Sequence, residues 1–174
     1  MFGEFQIHEP ATVKEAIDML AHYGDGATVY AGGTELLLIM KEGLVDYQHL
    51  VNIKTIPNLN NIALENENKR LRIGALVTHR QLEQTTLVRE HVPLLSEAAA
   101  GVGNLRVRMA GTIGGNVCFA EPHSDPATLL LACGASMELS GKNGIRTVPA
   151  EDFFVDLLQT AKEQEEVLQA ITVP

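Results

Sequence analysis

The sequence has no tryptophan, few aromatic residues (5% of 174 positions) and only two cysteines. Cys118 and Cys133 are too few to ligate an iron–sulfur cluster and do not form a C-x-x-C pair. We therefore expect no iron–sulfur centre in this chain, and we predict that Cys118 is a buried small side chain rather than a disulfide partner or a reactive thiol. Because hydrophobic residues make up 45% of the chain but aromatic ones only 5%, its core must be mainly aliphatic.

Basic residues are also scarce, with 13 Lys and Arg against 22 Asp and Glu and a net charge of −9. Nucleic-acid binding needs clustered basic residues, and those of this chain are scattered. No stretch reaches the roughly 18 apolar residues of a membrane span, and the first residues lack the basic flank and apolar run of a signal peptide. We therefore predict a cytoplasmic protein with no nucleic-acid partner and no membrane span.

The pattern of the first 56 residues predicts a small α/β lobe. Residues 12–15 form a capping-box sequence that starts an amphipathic helix, and Gly24 ends it. Residues 27–31 then predict a strand that runs into a Gly-Gly turn and a second helix over 35–41. Pro57 and the asparagine-rich residues that follow mark the end of this lobe.

Residues 57–174 predict a second lobe of α+β type. It begins with an antiparallel hairpin over 61–64 and 70–73, and residues 78–81 form another capping-box sequence. A later helix is predicted to start with Asp125 as N-cap and Pro126 as its first residue. A chain of 174 residues is long enough to bury about two thirds of the surface that it exposes when unfolded. Such a chain can form either one domain or two small lobes that share a ligand.

Two glycine-rich segments about eighty residues apart are the most informative feature of the sequence. We call residues 29–36 the first glycine segment and residues 111–116 the second. Glycine lets bare backbone amides approach an anion, which suits the diphosphate of a nucleotide cofactor. The first segment also precedes a helix, whose N-terminus adds free donors. A ligand-free tight turn is the alternative for the first segment, and a β-bulge or crossing point is the alternative for the second.

Several other residues allow two interpretations each. Glu35 suits either a ribose hydroxyl or a helix cap, and so does Asp125. Residues 101–106 begin like a dinucleotide fingerprint, but Arg106 stands where the third glycine belongs. Arg106 and Arg108 are predicted on an exposed strand, where they would be solvated or would neutralise phosphate. His123 and Asp125 are spaced as a metal-binding or acid/base pair would be, but no other candidate metal ligands accompany them. We therefore predict no metal site, and we assign no catalytic acid or base.

Taken together, residues 31–36 with Met40-Lys41, and Arg106 with residues 112–116, Pro122 and Asp125, resemble the flavoprotein subunit of the molybdenum hydroxylases. This family includes the medium subunits of bacterial xanthine, nicotinate and carbon monoxide dehydrogenases and of hydroxybenzoyl-CoA reductase. The resemblance covers the whole chain. It implies a two-lobed FAD-binding domain of the vanillyl-alcohol-oxidase and cell-wall-reductase (PCMH) type, of α+β class, with lobes at 1–56 and 57–174.

By position, the resemblance implies FAD contacts in both lobes. Those of the first lobe, around the diphosphate, are Val29, Tyr30, Ala31, Gly32, Gly33, Thr34, Glu35 and Leu36. Those of the second are Val102 and Gly103 near the adenine, Thr112, Gly114, Gly115 and Asn116 at the diphosphate, Cys118 and Phe119 beside the flavin or its ribityl chain, Asp125 at a ribose, and Leu168 or its neighbour Val167 at the flavin.

The resemblance also implies a place in a larger complex. A molybdopterin-binding large subunit would oxidise the substrate, and a small subunit with [2Fe-2S] clusters would carry electrons to FAD on this chain, which passes them to an external acceptor. Family members continue into a C-terminal domain that partly covers the isoalloxazine, whereas this sequence stops at Pro174. Two rival functions remain: a non-catalytic nucleotide-binding or assembly domain, and a fragment of a stand-alone flavin oxidase.

Overall fold

The first third of the chain forms a three-stranded parallel sheet in the computed structural model, which describes residues 3–65, 67 and 69–174. In chain order its elements are β1 (Gln6–His8), α1 (Val13–Tyr23), a 3-10 turn (Gly24–Gly26), β2 (Ala27–Tyr30), α2 (Leu36–Lys41) and β3 (His49–Asn52). β3 is the central strand and pairs with β1 on one side and β2 on the other. The strand, glycine turn and helix predicted over 27–41 are confirmed.

Helix α1 begins and ends where the sequence predicts. Thr12 Oγ1 accepts a hydrogen bond from the amide of Glu15 at 3.1 Å, and Gly24 ends the helix with a φ of 54°. The Glu15 carboxylate accepts from the amide of Ala11 at 2.8 Å, one residue before the position that a capping box predicts. The buried face of α1 is formed by Ala16, Ile17 and Leu20.

The rest of the chain builds a five-stranded antiparallel sheet covered by helices. Its elements are β4 (Ile62–Glu65), β5 (Arg70–Gly74), α3 (His79–Gln84), α4 (Thr86–His91), α5 (Pro93–Gly101), α6 (Leu105–Ala110), α7 (Ile113–Phe119), α8 (Asp125–Ala132), β6 (Ser136–Gly141), β7 (Gly144–Pro149), α9 (Ala150–Phe153), β8 (Phe154–Asp156), β9 (Gln159–Thr160) and β10 (Val167–Val173). The strand order is β4-β5-β10-β6-β7, and β8 pairs with β9 separately. The predicted hairpin is confirmed as β4 and β5; positions 66 and 68 of its turn lie outside the described residues.

Two apolar clusters hold these layers together. The larger packs the five-stranded sheet against the helices, with Ile73, Met137 and Ile171 fully buried. The smaller packs α1 and β3 together with Leu76 and Val167, which belong to the other half of the chain. The three-stranded sheet is therefore fixed to the five-stranded one by shared apolar burial. The mixture of helix and sheet is as predicted, while the lobe boundary at residue 56 stays a prediction.

Two predicted local structures were wrong. Residues 105–108 are helical rather than an exposed strand, because Asn104 Oδ1 accepts from the amides of Arg106 and Val107 at 2.9 and 3.2 Å and caps α6. The N-cap of α8 is Ser124 rather than Asp125, since Ser124 Oγ accepts from the amide of Ala127 at 3.3 Å. None of the helices in the described ranges has the length and hydropathy that crossing a bilayer requires.

Candidate functional site

A cleft of about 430 Å³ lies between the two sheets and is lined by residues of both glycine segments. This volume is within the range of about 300–1,000 Å³ typical of small-molecule sites. Most of the predicted cofactor residues line it: Val29, Ala31, Gly32, Gly33, Thr34, Glu35, Leu36, Val102, Thr112, Gly114, Gly115, Asn116, Cys118, Phe119 and Leu168. Tyr30, Gly103 and Asp125 are not part of its lining.

The first glycine segment is held in a conformation that only glycine accepts easily. Gly33 has a φ of 72°, and a Cβ atom there would lie 2.5 Å from the ring of Tyr30. The ring of Tyr30 therefore packs directly against Gly33. Lys54 Nζ lies 4.0 Å from the centre of the Tyr30 ring. The amides of Gly32, Gly33 and Thr34 donate to no acceptor in the described part of the chain. These are the free donors that an anionic ligand needs.

The second glycine segment is the start of α7, which differs from the predicted loop. Thr112 is the N-cap, and its Oγ1 accepts from the amide of Gly115 at 3.1 Å. The amide of Gly114 donates to Ala75 O at 2.9 Å, and that of Ile113 donates to Val77 O at 2.9 Å. The prediction of bare amides was therefore wrong for this segment. The crossing-point alternative fits Gly114, because a Cβ atom there would lie 2.6 Å from Ala75 Cβ.

The two glycine segments touch each other at Gly32. A Cβ atom on Gly32 would overlap Ala110 O and would lie 2.8 Å from the Cα of Gly111. The contact therefore depends on the missing side chain. It brings the free amides of the first segment beside the open face of Gly115, which is exposed and lines the cleft.

Glu35 and Asn116 also supply polar groups to the lining of the cleft. Glu35 is the N-cap residue of α2 but makes no side-chain cap hydrogen bond, so its interpretation as a cap was wrong and its carboxylate is left to the cleft. Asn116 Oδ1 accepts from Ser124 Oγ at 2.6 Å, which joins α7 to α8. The side-chain nitrogen Nδ2 of Asn116 remains as a donor for a ligand, whereas its backbone amide donates to Thr112 O at 2.9 Å.

Arg108 positions the loop before α6 and pairs with a carboxylate of this chain, rather than standing solvated on a strand. Its Nη1 donates to the carbonyls of Val102 and Gly103 at 3.2 and 3.4 Å, and its Nε donates to Glu83 at 3.2 Å. The side chain is only 16% exposed. These hydrogen bonds hold Val102 in the lining of the cleft. Gly103 is held by the same side chain but does not line the cleft.

The end of the cleft near Leu168 contains groups that the sequence patterns do not single out. Lys162 Nζ donates to the carbonyls of Glu163 and Glu166 at 2.8 and 3.1 Å, and burial lowers its pKa. The neighbouring Cys118 is a free thiol that is half-buried rather than fully buried, and burial raises its pKa to about 11, which fits the prediction that it is neither a disulfide partner nor a reactive thiol. Gln164 also lines this end, and its contacts cross to the three-stranded sheet. Only their tertiary positions reveal Lys162 and Gln164 as part of the cleft.

His79 is a further lining residue that sequence reasoning treated as one of several scattered histidines. It is the first residue of α3, after the N-cap Thr78, and is 3% exposed. Burial, and then the charge of Arg108, lowers its pKa to about 4. Its Nδ1 is buried and has no hydrogen-bond partner among the described residues.

Asp125 lies away from these groups. It is exposed in the first turn of α8, so the structure does not bring it to the cleft. His123 Nδ1 pairs with Glu121 Oε1 at 2.7 Å rather than with Asp125. The pair considered from the sequence is therefore not formed.

The comparisons with known proteins agree with this architecture. Residues 3–174 match the family model of the FAD binding domain in molybdopterin dehydrogenase. The carbon monoxide dehydrogenase medium chain of Hydrogenophaga pseudoflava is 38% identical over 170 residues, which are 98% of this chain and 58% of that protein. The xanthine dehydrogenase FAD-binding subunit of Escherichia coli O157:H7 is 33% identical over 174 residues, or 100% and 59% of the two chains.

Solved structures give the same result for the fold. A chain of carbon monoxide dehydrogenase from Hydrogenophaga pseudoflava, in a form that lacks the Mo-pyranopterin moiety of the molybdenum cofactor, superposes with a TM-score of 0.97 at 37% identity and covers 100% of this chain and 60% of its own. Quinoline 2-oxidoreductase from Pseudomonas putida 86 superposes with a TM-score of 0.96 at 32% identity and the same coverage. The chain thus spans about three fifths of the length of these relatives.

Proposed function

Because this chain belongs to the family of FAD-binding domains in molybdopterin dehydrogenases, we propose that its cleft holds FAD and that it acts in the electron-transfer subunit of a molybdenum hydroxylase. The observation that carries the proposal is the contact at Gly32, where the two glycine segments meet and line one cleft. A dinucleotide needs such a cradle for its diphosphate and an apolar continuation for its rings.

We infer that the fold is of the PCMH type, with lobes at 1–56 and 57–174 on either side of FAD. The separate sheets and the position of the cleft support this division. The first lobe would contribute the free amides of Gly32, Gly33 and Thr34 to the diphosphate. The second would contribute the open face of Gly115 and the side-chain Nδ2 of Asn116, while Leu168 and Phe119 would exclude water from the ring system.

The donor set fits FAD without assigning a catalytic acid or base to this chain. Bound FAD would supply the redox chemistry of the subunit. The chain's own part is to bind, orient and shield the cofactor. We propose that the electrons come from an iron–sulfur small subunit and pass to an external acceptor, and that a molybdopterin-binding large subunit oxidises the substrate.

Asp125 lies outside the lining of the cleft, in the first turn of α8. It would contact a ribose of FAD only if the first turn of α8 changed its position. The cytoplasmic location stays a prediction.

Reconstitution tests the proposal directly. The chain is expressed and titrated separately with FAD and with FMN, and bound flavin is measured by absorption and by chromatography after release. We expect FAD to bind with one equivalent per chain and FMN to bind more weakly, because FMN lacks the diphosphate and adenosine that the glycine segments would hold. A folded chain that rejects FAD would contradict the proposal and would favour the assembly-domain function. Turnover of an added substrate by the FAD-loaded chain alone would favour the stand-alone oxidase.

A further inference from the structure

The imidazole of His79 lies at the contact between the two glycine segments. Its Cδ2 is 3.3 Å from the position that a Cβ atom on Gly111 would take, and Thr34 Oγ1 is 3.3 Å from the same position. The backbone amide of His79 donates to Gly111 O at 3.1 Å, which fixes the start of α3 against the second segment. His79 therefore stands beside the proposed diphosphate position, although it belongs to neither segment.

The unpartnered Nδ1 of His79 is the second observation. Buried polar atoms in native proteins are nearly always hydrogen-bonded, so an unpaired one requires a partner that only a ligand or water can provide. Rotation of the ring about its Cβ–Cγ bond exchanges the places of Nδ1 and Cδ2, because the χ2 preference of histidine is roughly two-fold. Such a rotation turns Nδ1 towards Thr34 and Gly111.

We propose that His79 is a further cofactor-binding residue, whose imidazole hydrogen-bonds the diphosphate of the bound dinucleotide between the glycine segments and takes up a proton as the dinucleotide binds. This inference rests on the proposed function, since it requires FAD in the cleft. It adds to that function a residue that neither glycine segment contains, and it makes FAD affinity depend on pH.

The charges around His79 set the direction of this dependence. Burial, and then the charge of Arg108 on α6, keeps the imidazole of His79 neutral when no FAD is bound. Glu83 on α3 is hydrogen-bonded to Arg108 and Arg80. Glu35 adjoins Thr34 at the cleft, and Glu97 on α5 is exposed. An arriving diphosphate favours the charged imidazolium, so the pKa of His79 must rise from about 4 on binding. At a pH between the pKa of His79 in the FAD-free chain and its higher pKa in the FAD complex, FAD binding takes up a proton. FAD affinity therefore falls as the pH rises through the pKa of the complex.

The experiment measures FAD binding and proton uptake together. The 174-residue chain is titrated with FAD by calorimetry from about pH 5.5 to about pH 8, in buffers of different ionisation enthalpy, which gives the protons bound per FAD. For the wild type we expect proton uptake and a Kd that increases by about tenfold across this range. For His79→Gln, which keeps a polar side chain but cannot titrate in this range, we expect no uptake and a Kd about tenfold weaker near pH 6.

His91→Gln is the matched control. His91 is exposed on α4, is bonded through Nδ1 to Leu87 O and does not line the cleft, so this variant should behave as the wild type. Nitrogen-15 spectra of histidine-labelled wild-type chain, with and without FAD, test the same pKa rise without any substitution. FAD binding without proton uptake, or uptake that persists in His79→Gln, would overturn the role of His79 and leave the FAD site intact. A wild-type chain that does not bind FAD would overturn the proposed function as well.

Discussion

At the scale of single residues, the adjacent glycines at the start of α7 exclude a side chain for different reasons. A Cβ atom on Gly114 would lie 2.6 Å from both the Cβ and the carbonyl oxygen of Ala75, inside the packed interior. A Cβ atom on Gly115 would meet only Thr112 Oγ1, at 3.0 Å, and would enter the cleft. Gly114 therefore serves the packing of the fold, and Gly115 keeps space for a ligand.

Substitution of these two glycines should separate folding from binding. We expect Gly115→Leu to fold but to lose FAD binding, because the leucine side chain fills the cleft. We expect Gly114→Ala to lower the free energy of unfolding by about 1–3 kcal/mol through overpacking against Ala75. Urea denaturation and FAD fluorescence titration measure the two effects. An unchanged FAD affinity in Gly115→Leu would contradict the placement of FAD at this segment.

At the scale of elements, the sequence predicts a helix start best where the capping side chains are local and complete. The Thr78 and Gln81 capping box of α3 is formed with both of its hydrogen bonds, and Thr12 caps α1. Helix α7 also starts with a capping threonine, Thr112, but it lacks the glutamate or glutamine at the third position and contains two glycines. Its backbone is held instead by hydrogen bonds to Ala75 and Val77, which no local pattern reveals.

The ion pair between β7 and the segment before β10 gives a stability that depends on pH. Arg146 Nε and Nη2 donate to the two carboxylate oxygens of Glu166 at 2.6 and 2.8 Å, and the Glu166 side chain is 7% exposed. Burial by itself raises the pKa of Glu166, but the hydrogen bonds from Arg146 and from the amide of Glu163, with the charges of Arg146 and Lys162, lower it below its usual value. Glu166 thus stays charged in the folded chain at a pH where it is protonated in the unfolded one.

The sign follows from this lowered pKa. The stabilisation is complete above the unfolded-state pKa, near 4.5, and is lost as the pH falls through the folded-state pKa. We expect Arg146→Ala to lower the free energy of unfolding by about 2 kcal/mol near pH 7 and by less in acid. Urea unfolding of both chains at several pH values measures this. The exposed pair of Lys14 and Asp18 provides the control, since Lys14→Ala should change stability little at any pH. A loss of equal size at every pH would contradict the proposed linkage.

At the scale of the whole molecule, the sequence predicts the parts of the cleft that carry a local signature. The glycine segments have one, and the structure brings residues of both to the same cleft. His79, Lys162 and Gln164 have none, because each reaches the cleft only through the packing of distant elements. Asp125 fits the spacing of the resemblance but is exposed on α8, since Ser124 takes the capping position and starts the helix one residue earlier than predicted.

Gln164 connects the two halves of the molecule across the cleft. Its Nε2 donates to the carbonyls of Gly24 and Ala27 at 3.1 and 2.7 Å, which fixes the segment before β10 to the edge of the three-stranded sheet. We expect Gln164→Ala to weaken FAD binding by up to about thirtyfold, because the two lost hydrogen bonds together remove about 2 kcal/mol from the contact between the two halves that line the cleft. Amides of β2 should also exchange hydrogen faster in the FAD-free chain. Gln84→Ala, at an exposed position on α3, is the matched control. If exchange in β2 were unchanged, any loss of FAD affinity would reflect direct contact with FAD, and the bridging role of Gln164 would be wrong.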